Sequence, residues 1–518
     1  MEGTSGRNRV TTTDSSRESA SGAGWGCEET GIYKELLPPG GRHLSWANPV
    51  PLFKARNDWV SRWLGDPTSD QRRAWVGKQR ARGVDPEFIV RRHAGRASIS
   101  FMLIGDTGEG DPSQYCVVPG LMRRAQGTDF LFICSDVLYP AGDINEYDKK
   151  FYRPYKDYPG PIYAVPGNHD WYDGLNGFMH HFCGVAARDP SGVRFSGPLW
   201  RRALQAILWR RSSRGDDRRI AAMHALRPRP EQQPGQPGPY FAIEAGPLLL
   251  VAVDTGISGV IDAAQGEWLQ RVSRVPKPKI LLTGKPLYVD GEYHAGPIEG
   301  SRVTVDDVVK SAEHGYVAAI GGEIHNYQRY PVALEDGRII QYIVAGGGGA
   351  GSQGTHKIPR VDLPGTDETE FRCYPLRGDS LARFSEMYDR RLGFALGKLV
   401  LSPDEASALI AERLGVRPTR RGEREVPPTP QARRAFQIVF PRRERLPGPL
   451  HDYFVQFMDW NDPPMFKSFL RIDVSEQEIA IRCYAATGCR KHENDPPLED
   501  GAVAARGSDG TWKWSGIS

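Results

Sequence analysis

Between about Ala97 and Gly349, short apolar runs recur, each closed by Gly, Asp, Asn or His. They are Ser98–Ile104, Phe130–Cys134, Ile162–Val165, Leu248–Val253, Ile280–Thr283, Val317–Ile320 and Ile339–Val344. Near-continuous Val, Ile and Leu at this length predicts strands buried on both faces. Helical connections between several of them predict an α/β or mixed α+β core. Upstream, residues 46–96 carry an Arg-rich helical pattern with Trp59, Trp63 and Trp75 as expected packing anchors. Downstream, Ser402, Pro403 and Glu405 spell a helix start with a capping box, and Gly415 marks its end. Residues 452–486 alternate apolar and polar (Phe454, Gln456, Phe457; Phe469, Arg471, Ile472; Ile479, Ile481), which predicts closing antiparallel strands.

These patterns divide the chain. Residues 1–45 read as a flexible tail, 46–96 as a helical segment and 97–350 as the core. A basic insertion occupies about 199–238, with Arg201, Arg202, Arg210, Arg211, Arg214, Arg218 and Arg219. A second insertion, 351–450, suits a lid, and 451–518 supplies strands that complete the core.

Composition narrows the function classes. With 39% hydrophobic and 25% charged residues in 518, the chain can build a large core, which excludes wholesale disorder. No apolar run approaches the roughly 20 residues of a membrane span; Gly246–Val260 is interrupted by Asp254. A net charge of +4 calls for no nucleic-acid or membrane partner. The Arg clusters at 201–219 and 417–445 are diluted by Asp216, Asp217, Glu423 and Glu425 and lack an aromatic platform, so solvated faces are favoured over nucleic acid. The seven cysteines are odd in number and contain no CxxC; reduced structural thiols are expected, with Cys483 and Cys489 able to pair. No charged head precedes an apolar stretch at the N-terminus, and the expected location is the cytoplasm. Oligomeric state leaves no mark on the sequence.

Chemistry gathers just past the strands. Gly105-Asp106-Thr107-Gly108 follows the first run, Ser135-Asp136-Val137-Leu138-Tyr139 the second, and Gly167-Asn168-His169-Asp170 the third. Gly284-Lys285 follows Ile280–Thr283, with His294 nine residues beyond the Lys, and Gly321-Gly322-Glu323-Ile324-His325 follows Val317–Ile320. The carboxyl edge of an open α/β sheet is where ligands bind. Carboxylates, a carboxamide, a phenol and imidazoles are oxygen and nitrogen ligands for iron, manganese or zinc. The Gly346–Gly349 run suits close backbone approach near such a site, and Asp254-Thr255-Gly256 suits a strand-end turn.

Together these motifs resemble the calcineurin-like metallophosphoesterases, in particular their purple acid phosphatase branch, over about Ala97–Gly349. The resemblance implies a sandwich of two packed β-sheets flanked by helices. It also implies a phosphoester hydrolase that acts through a metal-activated hydroxide. Carried over by position, Asp106, Asp136, Tyr139 and His325 would hold a first metal. Asp136 would bridge to a second metal, which Asn168 would also bind. Gly108 stands where other branches place a ligand histidine, and Tyr139 supplies the phenol of the purple branch. His169 would meet the phosphate, oriented by Asp170, and His294 would be a general acid.

Two positions depart from the family. Lys285 and Glu323 stand where imidazoles would bind the second metal. Glu323 can bind that metal through oxygen, or the Lys285 ammonium can replace its charge while paired with Glu323. Alternatively, the protein binds metal or phosphate without turnover. A phosphomonoesterase is the favoured reading, with a phosphodiesterase or nuclease and a non-catalytic binding protein as alternatives.

Overall fold

Registers between strands determine which loops meet. The structure, a computed structural model, describes residues 26–38, 46, 48–186, 195–391, 393–419, 426–441 and 462–516. Within it the apolar runs form Ile99–Gly105, Phe130–Cys134, Ile162–Val165, Leu248–Val253, Lys279–Thr283, Tyr316–Gly321 and Ile339–Ala345. Each matches its expected boundaries to within one residue at either end, because a run buried on both faces leaves little choice of start or stop.

The strands belong to two large sheets. In the seven-stranded sheet, Ile99–Gly105, Phe130–Cys134 and Ile162–Val165 lie parallel, with Gly105 opposite Cys134 and Cys134 opposite Val165. Asp106, Asp136 and Asn168 therefore leave one edge at nearly one level. In the eight-stranded sheet, Leu248–Val253, Lys279–Thr283, Tyr316–Gly321 and Ile339–Ala345 are parallel, with Thr283 opposite both Val253 and Gly321. That register levels Asp254, Lys285 and Glu323. The two edges meet where Gly105 faces the Ala345 carbonyl: a Cβ on Gly105 would lie 2.7 Å from that oxygen. The C-terminal strands Lys467–Val474, Glu478–Ala486, Leu498–Arg506 and Trp512–Gly516 extend the seven-stranded sheet antiparallel from Ile99–Gly105. Phe454, Gln456 and Phe457 lie outside the described residues.

A buried ion triad pins the N-terminal helices to this edge. Arg72, on the helix Thr68–Ala81, is fully buried and pairs with Asp254 at 2.8 Å and Asp262 at 3.0 Å. Trp171 Nε1 donates to the other Asp254 oxygen at 2.9 Å. Asp254-Thr255-Gly256 is thus the strand-end turn expected, and the turn is also a structural anchor.

Some expectations are corrected. Trp75 is fully buried, but Trp59 and Trp63 are 55% and 74% exposed, because the helix Asn57–Leu64 buries Val60 and Ser61 on its other face. Part of the expected tail is packed: Tyr33 is buried, Gly31 donates to the Gly488 carbonyl at 2.8 Å, and Ile32 donates to Glu493 at 2.8 Å. Cys489 forms a disulfide with Cys27 rather than pairing with Cys483, which is buried and free. Arg210 is not on a solvated face; it reaches Asp143 at 3.0 Å and Asp173 at 2.8 Å. The helix Pro403–Leu414 begins at Ser402 and stops at Gly415, whose φ of 65° is the left-handed conformation that ends helices. No helix among the described residues is long and apolar enough to cross a membrane.

Candidate metal centre

The strand-end loops converge on one cleft of about 710 Å³, lined by Asp136, Tyr139, Asn168, His169, Glu323 and His325. Asp106 lies fully buried beneath it. Tyr139 joins the two sheets: its hydroxyl lies 3.1 Å from Asp106 Oδ1 and 3.0 Å from His325 Nε2. His325 donates Nδ1–H to the Gly351 carbonyl at 2.6 Å, which leaves Nε2 with a lone pair. His169 donates Nδ1–H to the Pro140 carbonyl at 2.8 Å, so its Nε2 is likewise the free ring atom. Asp136 Oδ1 accepts the His169 backbone N–H at 2.7 Å, locking two loops together.

Small residues make the convergence possible. A Cβ on Gly167 would lie 2.2 Å from Asp136 Oδ1, and one on Gly322 or Gly346 would lie 2.6 Å from Asp106 Oδ2. Gly348 and Gly349 press on the Gly105 and Thr107 carbonyls in the same way, each with its would-be Cβ 2.4 Å away. The glycine run therefore serves close backbone approach.

Burial and mutual repulsion crowd acidic groups beneath the cleft. Burial, then the charges of Asp136 and Glu323, hold Asp106 well above the usual carboxylate range. Burial and Glu323 push Asp136 up to about 8. Burial takes the His169 imidazole down to about 4 and that of His325 down to about 3, so both are neutral, as ligands must be. The buried oxygens without a hydrogen-bond partner include Asp106 Oδ2, Asn168 Oδ1 and Glu323 Oε2. An orphaned buried acceptor costs about 1–3 kcal/mol, and a bound cation relieves it. The donor set thus fits a metal. The cleft is nevertheless looser than a closed cage, since no three of its carboxylates and imidazoles bring a ligand atom each within 4.8 Å of the others. Tyr139 stands between Asp106 and His325, and Lys285 Nζ is ion-paired to Glu323 Oε1.

Two expected residues are placed otherwise. Asp170 does not touch His169; its Oδ2 accepts from Val137 N at 3.0 Å and Gly167 N at 3.1 Å, so it ties down both loops from beneath. His294 does not line the cleft; its side chain is 55% exposed, 3.9 Å from Glu292. The hairpin that carries it brings Asp290 to the cleft instead. The sequence reading missed the walls: Trp46, which packs edge-on to His169 with ring centroids 5.5 Å apart, and Arg56, Asp58 and Trp59 from the N-terminal helices. Their only sequence signal is aromatic and charged residues at positions that a helix exposes. From the 351–450 segment, Gly351, Ser352, Gln353 and Lys357 reach the cleft.

Residues 99–297 match the family model of the calcineurin-like phosphoesterases. The chain carries a calcineurin-like phosphoesterase domain. The match covers the loops of Asp106, Asp136, Asn168, His169 and Lys285, and stops short of Glu323 and His325. No curated protein matches the chain in sequence. Among solved structures, it is similar to the purple acid phosphatase PPD1 of yellow lupin (Lupinus luteus) seeds at 12% identity, with a TM-score of 0.40. That match covers 80% of this chain, which spans only 55% of the lupin protein. A structure of PhoD is similar at 10% identity and TM-score 0.36, covering 82% of this chain and 72% of its own. The Plasmodium inner-membrane-complex anchor GAP50 is similar at 13% identity and TM-score 0.32, covering 53% and 77%.

Proposed function

We propose that the cleft hydrolyses phosphomonoesters with a metal held by Asp106, Asp136, Tyr139 and His325, and with the Lys285–Glu323 pair beside it. The supporting observation is that Asp106 Oδ2, Asn168 Oδ1 and Glu323 Oε2, all buried and without a hydrogen-bond partner, lie where the strand-end loops converge. Iron, manganese and zinc all suit this mixed oxygen and nitrogen set. When bound, the metal neutralises phosphoryl charge and makes hydroxide available near neutral pH.

The chain's own residues do the rest. Tyr139 and His325 are presented by opposite sheets, so the two layers must stay in register for the site to exist. His169, its tautomer fixed by the Pro140 carbonyl, offers Nε2 to the phosphate or the leaving oxygen. The Lys285 ammonium supplies fixed positive charge where phosphoryl oxygens gather it. Asp170 keeps the loops of Asp136 and His169 at their spacing. Arg56, Arg62 and Lys357 line the mouth beside Asp58 and Asp290, Arg62 paired with Asp58, and the remaining surplus of cations favours a dianionic monoester over a singly charged diester. Trp46, Leu52 and Trp59 give the leaving group an apolar wall.

A non-catalytic binding protein is the second reading, favoured by the same Lys285–Glu323 pair, which ties up an expected ligand. Elemental analysis of the full chain beside Asp106→Asn, with visible spectra of the iron-loaded forms, separates metal binding at this cleft from none. One metal fewer per chain in the variant, with loss of a tyrosinate band, supports the site. Identical metal content in both proteins removes it. The cytoplasmic reading is tested by the Cys27–Cys489 bridge: protein from a reducing compartment should carry both as thiols on alkylation mapping.

A further inference from the structure

A second group of ligands lies away from the phosphoesterase cleft and shares no residue with it. The helix Asn176–His181 ends in His180 and His181, and the helix Asp217–His224, within the basic insertion, ends in His224. One ring nitrogen of each lies within 4.8 Å of the others. His180 donates Nδ1–H to the Val185 carbonyl at 2.7 Å, so its Nε2 carries the lone pair; that atom is buried and has no hydrogen-bond partner. His181 donates Nε2–H to the Ile144 carbonyl at 2.9 Å. Its Nδ1 then accepts the Tyr152 hydroxyl hydrogen at 3.1 Å, a bond that a metal on this atom would replace. Two tautomers are thus fixed by backbone carbonyls, the arrangement that prepares metal-binding histidines. The rings of His180 and His224 stack at 12° and 5.5 Å, and His181 stands edge-on to both. Desolvation lowers the proton affinity of all three imidazoles, even that of His224 at the surface, which keeps them in the ligating form.

We propose that His180, His181 and His224 bind a divalent transition metal of the zinc class and fasten the basic insertion to the core. Three imidazoles without a thiolate or carboxylate suit zinc, copper or nickel rather than magnesium or calcium. The three histidines line a cleft of about 760 Å³, so a fourth ligand, water or Gln233, can reach the ion. A metal here closes a bond between the helix that follows the Asn168–Asp170 loop and the inserted helix. No titratable acid is required.

The test uses the full-length protein, stripped with chelator and titrated with Zn²⁺ alone or Co²⁺ alone. Wild type should bind one more zinc per chain than His224→Ala. Affinity at that site should fall by at least about 100-fold, the upper end of what even an outer partner of a metal site supplies. The Co²⁺ form should show a tetrahedral visible band that His224→Ala loses, His224→Cys restores with a thiolate charge-transfer band, and Asp136→Asn leaves intact. His224 is exposed, so its substitution should not compromise folding; circular dichroism of the chelated proteins checks this. Protease cleavage within 199–238 should also rise on chelation of wild type and not of His224→Ala. Equal zinc stoichiometry and affinity in wild type, His224→Ala and His180→Gln would overturn the proposal and leave a packed stack of neutral imidazoles. Because Asp136→Asn and His224→Ala probe separate ions, failure here does not bear on the phosphoesterase centre.

Discussion

Lys285 and Glu323 form an ion pair, Glu323 lining the cleft, one residue from each of two adjacent parallel strand ends. Their strands are in register, with Thr283 opposite Gly321, so the pair follows from topology. Lys285→Met should lower aryl phosphate turnover by about 10²–10³-fold, the scale of losing one preorganised charge-stabilising group. Lys285→His combined with Glu323→His should instead raise the metal content by one ion per chain. Turnover and elemental analysis on the same preparations check both. Unchanged turnover in Lys285→Met would assign the pair to the scaffold.

Gly108 is held against the Val137 carbonyl. A Cβ there would lie 1.8 Å from that oxygen and 2.9 Å from Leu138 Cα, both backbone atoms. Gly108 O also accepts the Tyr139 N–H at 2.9 Å. Gly108→Ala should therefore displace Tyr139 and lower turnover by about 10²-fold, the cost of a displacement on the order of 1 Å at a reacting centre. Gly108→His should not restore activity by supplying an imidazole, because the backbone has no room for any side chain. Kinetics of both variants, with metal content, decide this.

Arg72 is the centre of the triad with Asp254 and Asp262. Arg72→Met leaves two carboxylates buried without their cation and should destabilise the fold by about 3–5 kcal/mol. Urea unfolding should show the midpoint fall. A loss under 1 kcal/mol would mean that water reaches the triad.

Glu146 carries the clearest acid-side linkage. Burial alone would raise its carboxyl, but Lys150 at 2.5 Å and Lys54 at 2.8 Å reverse this and take it down to about 2. A carboxylate with a depressed folded-state value adds stability above its ordinary value of 4.5 and loses it as pH falls toward about 2. Glu146→Gln should be less stable than wild type at neutral pH, with the difference closing between pH 4.5 and 2. Thermal melts across that window check the sign.

Much of this architecture was legible because local chemistry decided it. Phe130–Cys134, Ile162–Val165 and Leu248–Val253 are strands over their expected residues, each a continuous apolar run ended by a turn-forming residue. The loops of Asp106, Asp136, Tyr139, Asn168, His169 and His325 meet because parallel strands in register end together. What was illegible depended on distant partners. Cys27 and Cys489 are 462 residues apart, and no spacing relates them. Asp170 follows His169 yet turns beneath the loop to the Val137 and Gly167 amides. His294 is expected as a general acid from the family resemblance alone, but a hairpin carries it into solvent. His180 and His181 meet His224 only through packing of an inserted helix. Trp59 and Trp63 have the composition of a core and the geometry of a surface, because Val60 and Ser61 hold the inner face.

The most direct test of the account is hydrolysis of an aryl phosphate by the full chain, stripped and reloaded with manganese, beside Asp136→Asn and His169→Ala. The account predicts turnover that requires added metal and falls by at least about 10²-fold in either variant, while circular dichroism stays unchanged. Turnover that is absent with manganese, iron and zinc in wild type, or that persists in Asp136→Asn, would contradict it.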